Sequence, residues 1–266
     1  MPPKIPVLTV IPHAGLAIPE ELSGHEAVTP FQIFFESDSG ADLLFSANSD
    51  AGSFLKPDIS RLFVDMDREF RMLYPATADG VIKSKTSMNR NIFREGCYPD
   101  EIAISNILKR YYFPFHEKMR TTLKNNETGF ILECHTHTAV GPDNSPDRGR
   151  PRPLVMTEYT AENTEAIRKT ASPDMAMDLA YIMGRLFSGE GDTVAGDYRV
   201  SDNSSGYIMK NYGTKGIPML RLSLSRSLFL NDRYFDLEAL KIDNRRLERL
   251  NEIFVSGLER FLNKYF

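Results

Sequence analysis

The sequence predicts an α/β fold, with a mostly parallel, mixed central sheet covered by helices on both faces. Three observations predict it. Short β-branched or apolar runs stop abruptly at polar or turn residues, as buried strands do. Stretches with apolar residues at helical spacing alternate with those runs, the pattern of strands joined by crossover helices. Hydrophobic residues make up 41% and charged residues 26% of the chain, which suits a packed core rather than a disordered or fibrous chain.

The elements follow in order. Ile5–Ile11 is a buried strand that stops at Pro12-His13-Ala14-Gly15, so His13 falls at a strand end. Ser37–Ala47 opens with capping residues and continues at helical spacing, which places Glu36 and Asp38 at a helix N-terminus. Ser60–Arg68 reads as a second core strand with a polar exit at Asp65, Asp67 and Arg68. Asp100–Lys124 repeats Ile104, Ile107, Leu108, Tyr111, Phe115 and Met119 on one helical face, with Pro114 as a kink point. Phe130–His137 is the next strand, and the Pro-, Gly-, Asp- and Arg-rich stretch Gly141–Pro153 is a long active-site loop. Pro173–Ser188 is helical, Gly216–Leu224 is a late strand, and Tyr234–Tyr265 forms one or two closing amphipathic helices.

At 266 residues, the chain reads as a single domain over 1–266. A net charge of −4 without a dense Lys/Arg stripe argues against nucleic acid as a partner, because phosphate neutralisation needs clustered cations. No run of about eighteen apolar residues is present, so no transmembrane helix is expected. Cys97 and Cys134 form no CxxC pair, and the first residues lack the pattern of a signal peptide. A cytoplasmic protein acting on a small-molecule substrate is the expectation.

In an open α/β sheet the functional crevice lies beyond the carboxyl ends of the strands. His13, Asp67, Arg68, His135 and His137 stand at such ends. A catalytic zinc takes about three protein ligands, mainly His nitrogen and carboxylate oxygen, and keeps a position open. Two strand-end histidines and an early carboxylate supply that set. The alternative is a capping His13 and a hydrogen-bonded core His135, since neither HExxH nor HxxE occurs. Residues two apart on a strand share a face, so His137 is the reserve ligand. His116 reads as a structural hydrogen-bonding residue and His25 as a surface one.

Seven blocks carry a resemblance: PHAGLAIP (12–19), ESDSGADLLF (36–45), SRLFVDMDR (60–68), YYFPFHEKM (111–119), ECHTHT (133–138), SSGYIMKNYG (204–213) and LRLSLSRSLFL (220–230). In this order they resemble the N-formylglutamate amidohydrolases, which are similar in plan to zinc carboxypeptidases and aspartoacylase-type deacylases. The resemblance implies a zinc-exopeptidase-like fold and a Zn2+ ion held by His13, Asp38 and His135, with Glu36 as the competing carboxylate. It places Arg68 against a substrate carboxylate, an interaction suited to a guanidinium fork. It gives Arg61 and Arg226 a role in polarising the scissile carbonyl or binding a second carboxylate, with a structural ion pair as the other reading. Gly206 and Tyr207 fall on a pocket-lining loop.

The chain also departs from that pattern. Where the family has Gln-Leu-Glu-Ile-Xaa-Arg, this sequence has Arg221-Leu222-Ser223-Leu224-Ser225-Arg226, so Ser223 replaces the glutamate that serves as general base. Asp67 stands where the family has asparagine. Another carboxylate could take the base's place, Glu133 first and Glu36 second. Otherwise the metal works without a base, or hydrolysis is lost. Glu133 has a competing role as the acid that orients His135. The resulting expectation is a zinc-dependent amidohydrolase for an N-acyl, possibly N-formyl, acidic amino acid, as in histidine catabolism. The alternatives are a carboxypeptidase-like hydrolase with another substrate and a catalytically silent metal- or ligand-binding relative.

Overall fold

The computed structural model describes residues 6–46, 52–125, 128–143, 145–161, 169–191, 195–202, 206–213 and 216–266. Six strands form the main sheet: β1 (Val7–Val10), β2 (Gly52–Leu55), β3 (Phe130–His137), β4 (Val155–Glu158), β5 (Tyr198–Ser201) and β6 (Met219–Ser225). Their spatial order is β2-β1-β3-β6-β4-β5. The first four in that order run parallel, while β4 is antiparallel to β6 and parallel to β5. The sheet is therefore mixed and mostly parallel, as the sequence predicts.

Alternation along the central strands assigns the two faces. Phe130, Leu132 and Cys134 of β3, with Leu220, Leu222 and Leu224 of β6, join one core. That core is closed by α1 (Pro30–Glu36), α2 (Ala41–Leu44), α5 (Pro173–Phe187) and α7 (Asn244–Tyr265). Leu8, Val10, Ile131 and Met219 join a second core on the opposite face. It is closed by α3 (Glu101–Ile107), α4 (Phe113–Asn125) and α6 (Tyr207–Tyr212). Ser172 and Asp243 cap α5 and α7 through side-chain oxygens, satisfying amides that a helix start leaves free.

The expected helix over Asp100–Lys124 is present. Asp100 caps it, and α3 and α4 are joined through a wider π turn at Leu108–Tyr112. Phe113 N donates to Leu108 O across that turn. Pro114 lacks the N–H that a regular turn needs, and the widened turn carries the helix past it.

Three local expectations are corrected. Ser60–Arg68 is not a strand; Phe63 N and Val64 N both bond to Ser60 O, and the strand beside β1 is Gly52–Leu55. Its residues 62–67 are all buried, and a short run buried on every side looks the same in sequence whether extended or turned. Among the described residues 37–46 only Ala41–Leu44 is helical, and Glu36 ends α1 instead of starting a helix. Ahead of α7, residues 235–242 form a small hairpin, Phe235–Asp236 against Lys241–Ile242. The predicted endpoints Ile5 and Ala47, and Ser204 and Ser205 of the resemblance block, lie outside the described residues.

Candidate metal centre and basic pocket

The register of the sheet brings the histidines together. Val10 of β1 pairs with Glu133 of β3, so the chain following β1 and the end of β3 emerge at the same edge. His13 lies just past β1, and His135 on β3 shares a face with Glu133 and His137. The turn between α1 and α2 reaches that edge through Asp38 N, which donates to His13 O at 2.8 Å. His13, Asp38 and His135 are all buried, and one ligand atom from each lies within 4.8 Å of the others.

Each imidazole is held by an acid on its far side. His13 Nε2 donates to Asp65 Oδ1 at 2.8 Å, because an ionised carboxylate can only accept. That fixes the tautomer and leaves the lone pair of His13 Nδ1 facing Asp38 Oδ2 at 3.8 Å. His135 Nδ1 lies 3.1 Å from the same Asp38 oxygen, and its Nε2 lies 2.8 Å from Glu133 Oε1. A lone pair and a carboxylate oxygen that face each other in a buried space call for a cation between them. An acid behind each ligand histidine is the support that zinc-bound imidazoles use. The donor set of two nitrogens and one carboxylate therefore fits zinc with a position left open.

Charge follows this geometry. Burial, with help from Arg61, lowers the His13 pKa to about 3 against the pull of Asp65, so the ring is neutral. Burial also pulls on His135, but hydrogen bonds with Asp38 and Glu133 win and raise it to about 9. Burial pushes Asp65 up, yet Lys83, His13 and Arg61 hold it well below the ordinary carboxylate range. Arg61 Nη2 donates to Asp65 Oδ2 at 3.1 Å and Lys83 Nζ lies 3.0 Å from it. Asp65 Oδ1 also accepts from Asp67 N at 2.9 Å.

Beside the cluster lies a pocket of about 440 Å³ walled by six cations: Arg61, Arg68, Lys83, Lys85, Arg152 and Arg226. Thr136, His137 and Thr138 bring the end of β3 to its wall, and Pro142, Ser145, Pro146 and Arg152 bring the predicted active-site loop. Arg226 ties pocket to cluster, since its Nη2 donates to Asp38 Oδ1 at 2.9 Å and its Nε to Thr136 Oγ1 at 2.8 Å. A hollow of about 670 Å³ along Asp232–Arg245 is larger, but it shares no residue with the histidine cluster.

The other site expectations divide. Arg61, Arg68 and Arg226 line the pocket, with Arg68 also paired to Asp79 at 2.7 Å. Ser223 is buried and in register with His135. Glu133 is fully buried behind His135, the geometry of an orienting acid. Glu36 stands apart from the histidines: its Oε1 accepts from Ser87 N at 2.9 Å and Ser87 Oγ at 2.7 Å, and it is absent from the candidate metal groups among the described residues. It lies in the pocket wall instead. Tyr207 packs its ring edge-on against buried His116, at 5.5 Å between centroids, outside the lining of this pocket. Gly206 sits against Arg221 and Asp67. His137 Nε2 donates to Pro153 O at 2.9 Å, and His137 is outside the candidate metal groups among the described residues.

Sequence reasoning missed Asp65, Lys83, Thr136, Arg152 and Arg221. Arg221 had a signal, being the lone charge inside the apolar run GIPMLRLSL. Asp65 had a weaker one, as the first acid of Asp65-Met66-Asp67-Arg68.

A mixed α/β sheet with a histidine–acid cluster and a cationic pocket at its carboxyl edge defines the class as an open α/β scaffold with a built polar site. The particular family follows from comparison: the family model described as N-formylglutamate amidohydrolase matches residues 5–230. The chain belongs to that family, whose members are hydrolases of amide bonds. It is similar in structure to the N-formylglutamate amidohydrolase of Ralstonia eutropha JMP134, with TM-score 0.68, 18% identity, and coverage of 98% of this chain and 95% of that one. It is also similar to a gene product of Agrobacterium tumefaciens, with TM-score 0.62, 16% identity, and coverage of 98% and 92%. At these identities the likeness concerns the fold. No curated protein matches the chain. Among the described residues, no helix is long and apolar enough to cross a membrane.

Proposed function

We propose that the protein is a zinc-dependent amidohydrolase acting on an N-acyl acidic amino acid, N-formylglutamate being the first candidate. One observation carries the reading: His13 Nδ1, Asp38 Oδ2 and His135 Nδ1 converge while Asp65 and Glu133 hold the outer nitrogens of the two rings. Zinc at that point would supply a Lewis acid that polarises the scissile carbonyl and acidifies water.

The chain's own residues supply the rest. Arg61, Arg68 and Arg226 line the pocket and bind the substrate carboxylates, with Lys83, Lys85 and Arg152 adding to the attraction. Asp65 keeps Arg61 and Lys83 in place. The loop at Pro142–Arg152 closes one side of the pocket and limits water.

The test is metal analysis of purified protein followed by hydrolysis of N-formyl- and N-acetyl-L-glutamate with and without chelator. Turnover that chelator abolishes and zinc restores supports the reading. A panel of small amides that all stay intact with zinc bound rejects hydrolysis. It leaves the second reading, a metal- or ligand-binding relative without turnover, which Ser223 at the expected base position favours.

A further inference from the structure

His135 has a second side. Its ring, with the carboxylates of Asp67 and Glu133, makes another group of donor atoms all within 4.8 Å of one another. This group already holds a cation. Arg221 Nη2 donates to Asp67 Oδ2 at 2.7 Å and to Glu133 Oε1 at 2.8 Å. The same Glu133 oxygen faces His135 Nε2 at 2.8 Å.

The mode of contact is unlike an ordinary arginine–carboxylate fork, in which two N–H groups engage two oxygens. Here a single nitrogen stands between two carboxylates, as a small ion would. Glu133 Oε2 and Arg221 Nε are both buried and without a hydrogen-bond partner among the described residues. Gly206 closes over this nitrogen; a Cβ there would come within 1.8 Å of Arg221 Nη2 and 2.6 Å of Asp67 Oδ2. Asp67 Oδ1 accepts from Ile208 N at 2.8 Å, tying the start of α6 to the same pair.

We infer that Arg221 is a positioning residue that stands in place of a second metal ion among Asp67, Glu133 and His135, so that the centre takes one metal and not two. The inference rests on the reading of His135 as a ligand. It assigns the charged pair Asp67 and Arg221 one job: a fixed positive charge pairs with Glu133 behind His135 and closes that side of the ring to a free ion. Removing the guanidinium leaves two buried carboxylates and the far ring nitrogen around a space that an added cation can fill, the Nε2 proton of His135 passing to solvent where the ion binds the ring.

Zinc titration of the full chain, with bound metal counted by elemental analysis, tests this on wild type, Arg221→Gln and the double variant Arg221→Gln/Asp67→Asn. The wild type is expected to bind about one zinc per chain, Arg221→Gln about two, and the double variant about one, because the second site then lacks an acid. Zinc is also expected to raise the melting temperature of Arg221→Gln more than that of wild type. Arg221→Gln that folds and binds no more zinc than wild type overturns the inference while leaving the single-zinc reading intact. Arg221→Gln that fails to fold even with excess zinc overturns it as well, since the ion is expected to replace the guanidinium. A wild type that binds no zinc rejects the His13 site and with it the count of one metal, even beside an Arg221→Gln variant that binds one.

Discussion

The two sides of the His135 ring are built from the same materials and balanced differently. On the Nδ1 side, Asp38 and His13 present an oxygen and a nitrogen to a common space. On the Nε2 side, Glu133 and Asp67 surround Arg221 Nη2. Buried acids require compensating positive charge on both sides. The chain fills the space between the acids with its own cation on one side; on the other Arg226 pairs with the outer oxygen of Asp38, and on the proposed reading the space between Oδ2 and the rings takes a cation from solution. The number of buried acids does not by itself reveal a metal centre; Arg226 reaches only Asp38 Oδ1 and leaves Oδ2 facing the two imidazoles, whereas Arg221 Nη2 stands between the two acids themselves.

The largest effect is expected at the Nδ1 side. His13→Ala or His135→Ala lowers zinc affinity by more than about a hundredfold, because a ligand is lost outright where loss of an outer partner costs about 10–100-fold; competition against a zinc-binding dye measures it. Unchanged affinity in folded variants would break the comparison at its root.

His116 sharpens it, as a buried histidine held by a tyrosine hydroxyl rather than by an acid. Its Nδ1 lies 2.9 Å from Tyr212 Oη, and burial, aided by Arg120, lowers its pKa to about 4. The unfolded chain, with an ordinary histidine pKa, binds a proton between about pH 6.5 and 4 that the folded protein refuses. Stability therefore falls as pH drops through that window, by on the order of 3 kcal/mol. In His116→Gln the contribution disappears, so denaturant melts across the window should show a flatter pH dependence; an identical slope would exclude His116 as its source.

Ser223 stands in register beside His135. Ser223→Glu is expected to raise hydrolysis of N-formyl-L-glutamate by about tenfold or more by adding a proton acceptor. No gain in a folded, zinc-loaded variant would show that a base is not the missing part. The smallest effect belongs to Gly206→Ala, whose methyl must push Arg221 off Asp67. A loss of about 1–2 kcal/mol in denaturant unfolding is expected, and unaltered stability would mean that Arg221 is loosely held.

The sequence made the central frame legible because period and punctuation report local structure directly. Phe130–His137 has its observed bounds, and the helices at 101–125 and 173–187 follow their apolar spacing and caps. Ser60–Arg68 misled because burial on every side erases periodicity. The two histidines and Asp38 could be proposed from strand ends and family resemblance, and the structure brings them together. Asp65 and Lys83 were not legible, since their role comes from long-range contacts, Asp65 reaching His13 across 52 positions. The purpose of Arg221 was hidden for the same reason: the sequence shows a charge in a strand, while its partners Asp67 and Glu133 lie 154 and 88 positions away.

A crystal structure of the full chain grown with zinc, phased on the zinc anomalous signal, tests the central claim most directly. The account predicts a single strong peak bonded to His13 Nδ1, His135 Nδ1 and Asp38, with Arg221 still between Asp67 and Glu133. A peak among Asp67, Glu133 and His135 Nε2 with Arg221 displaced, or none beside His13, would contradict it.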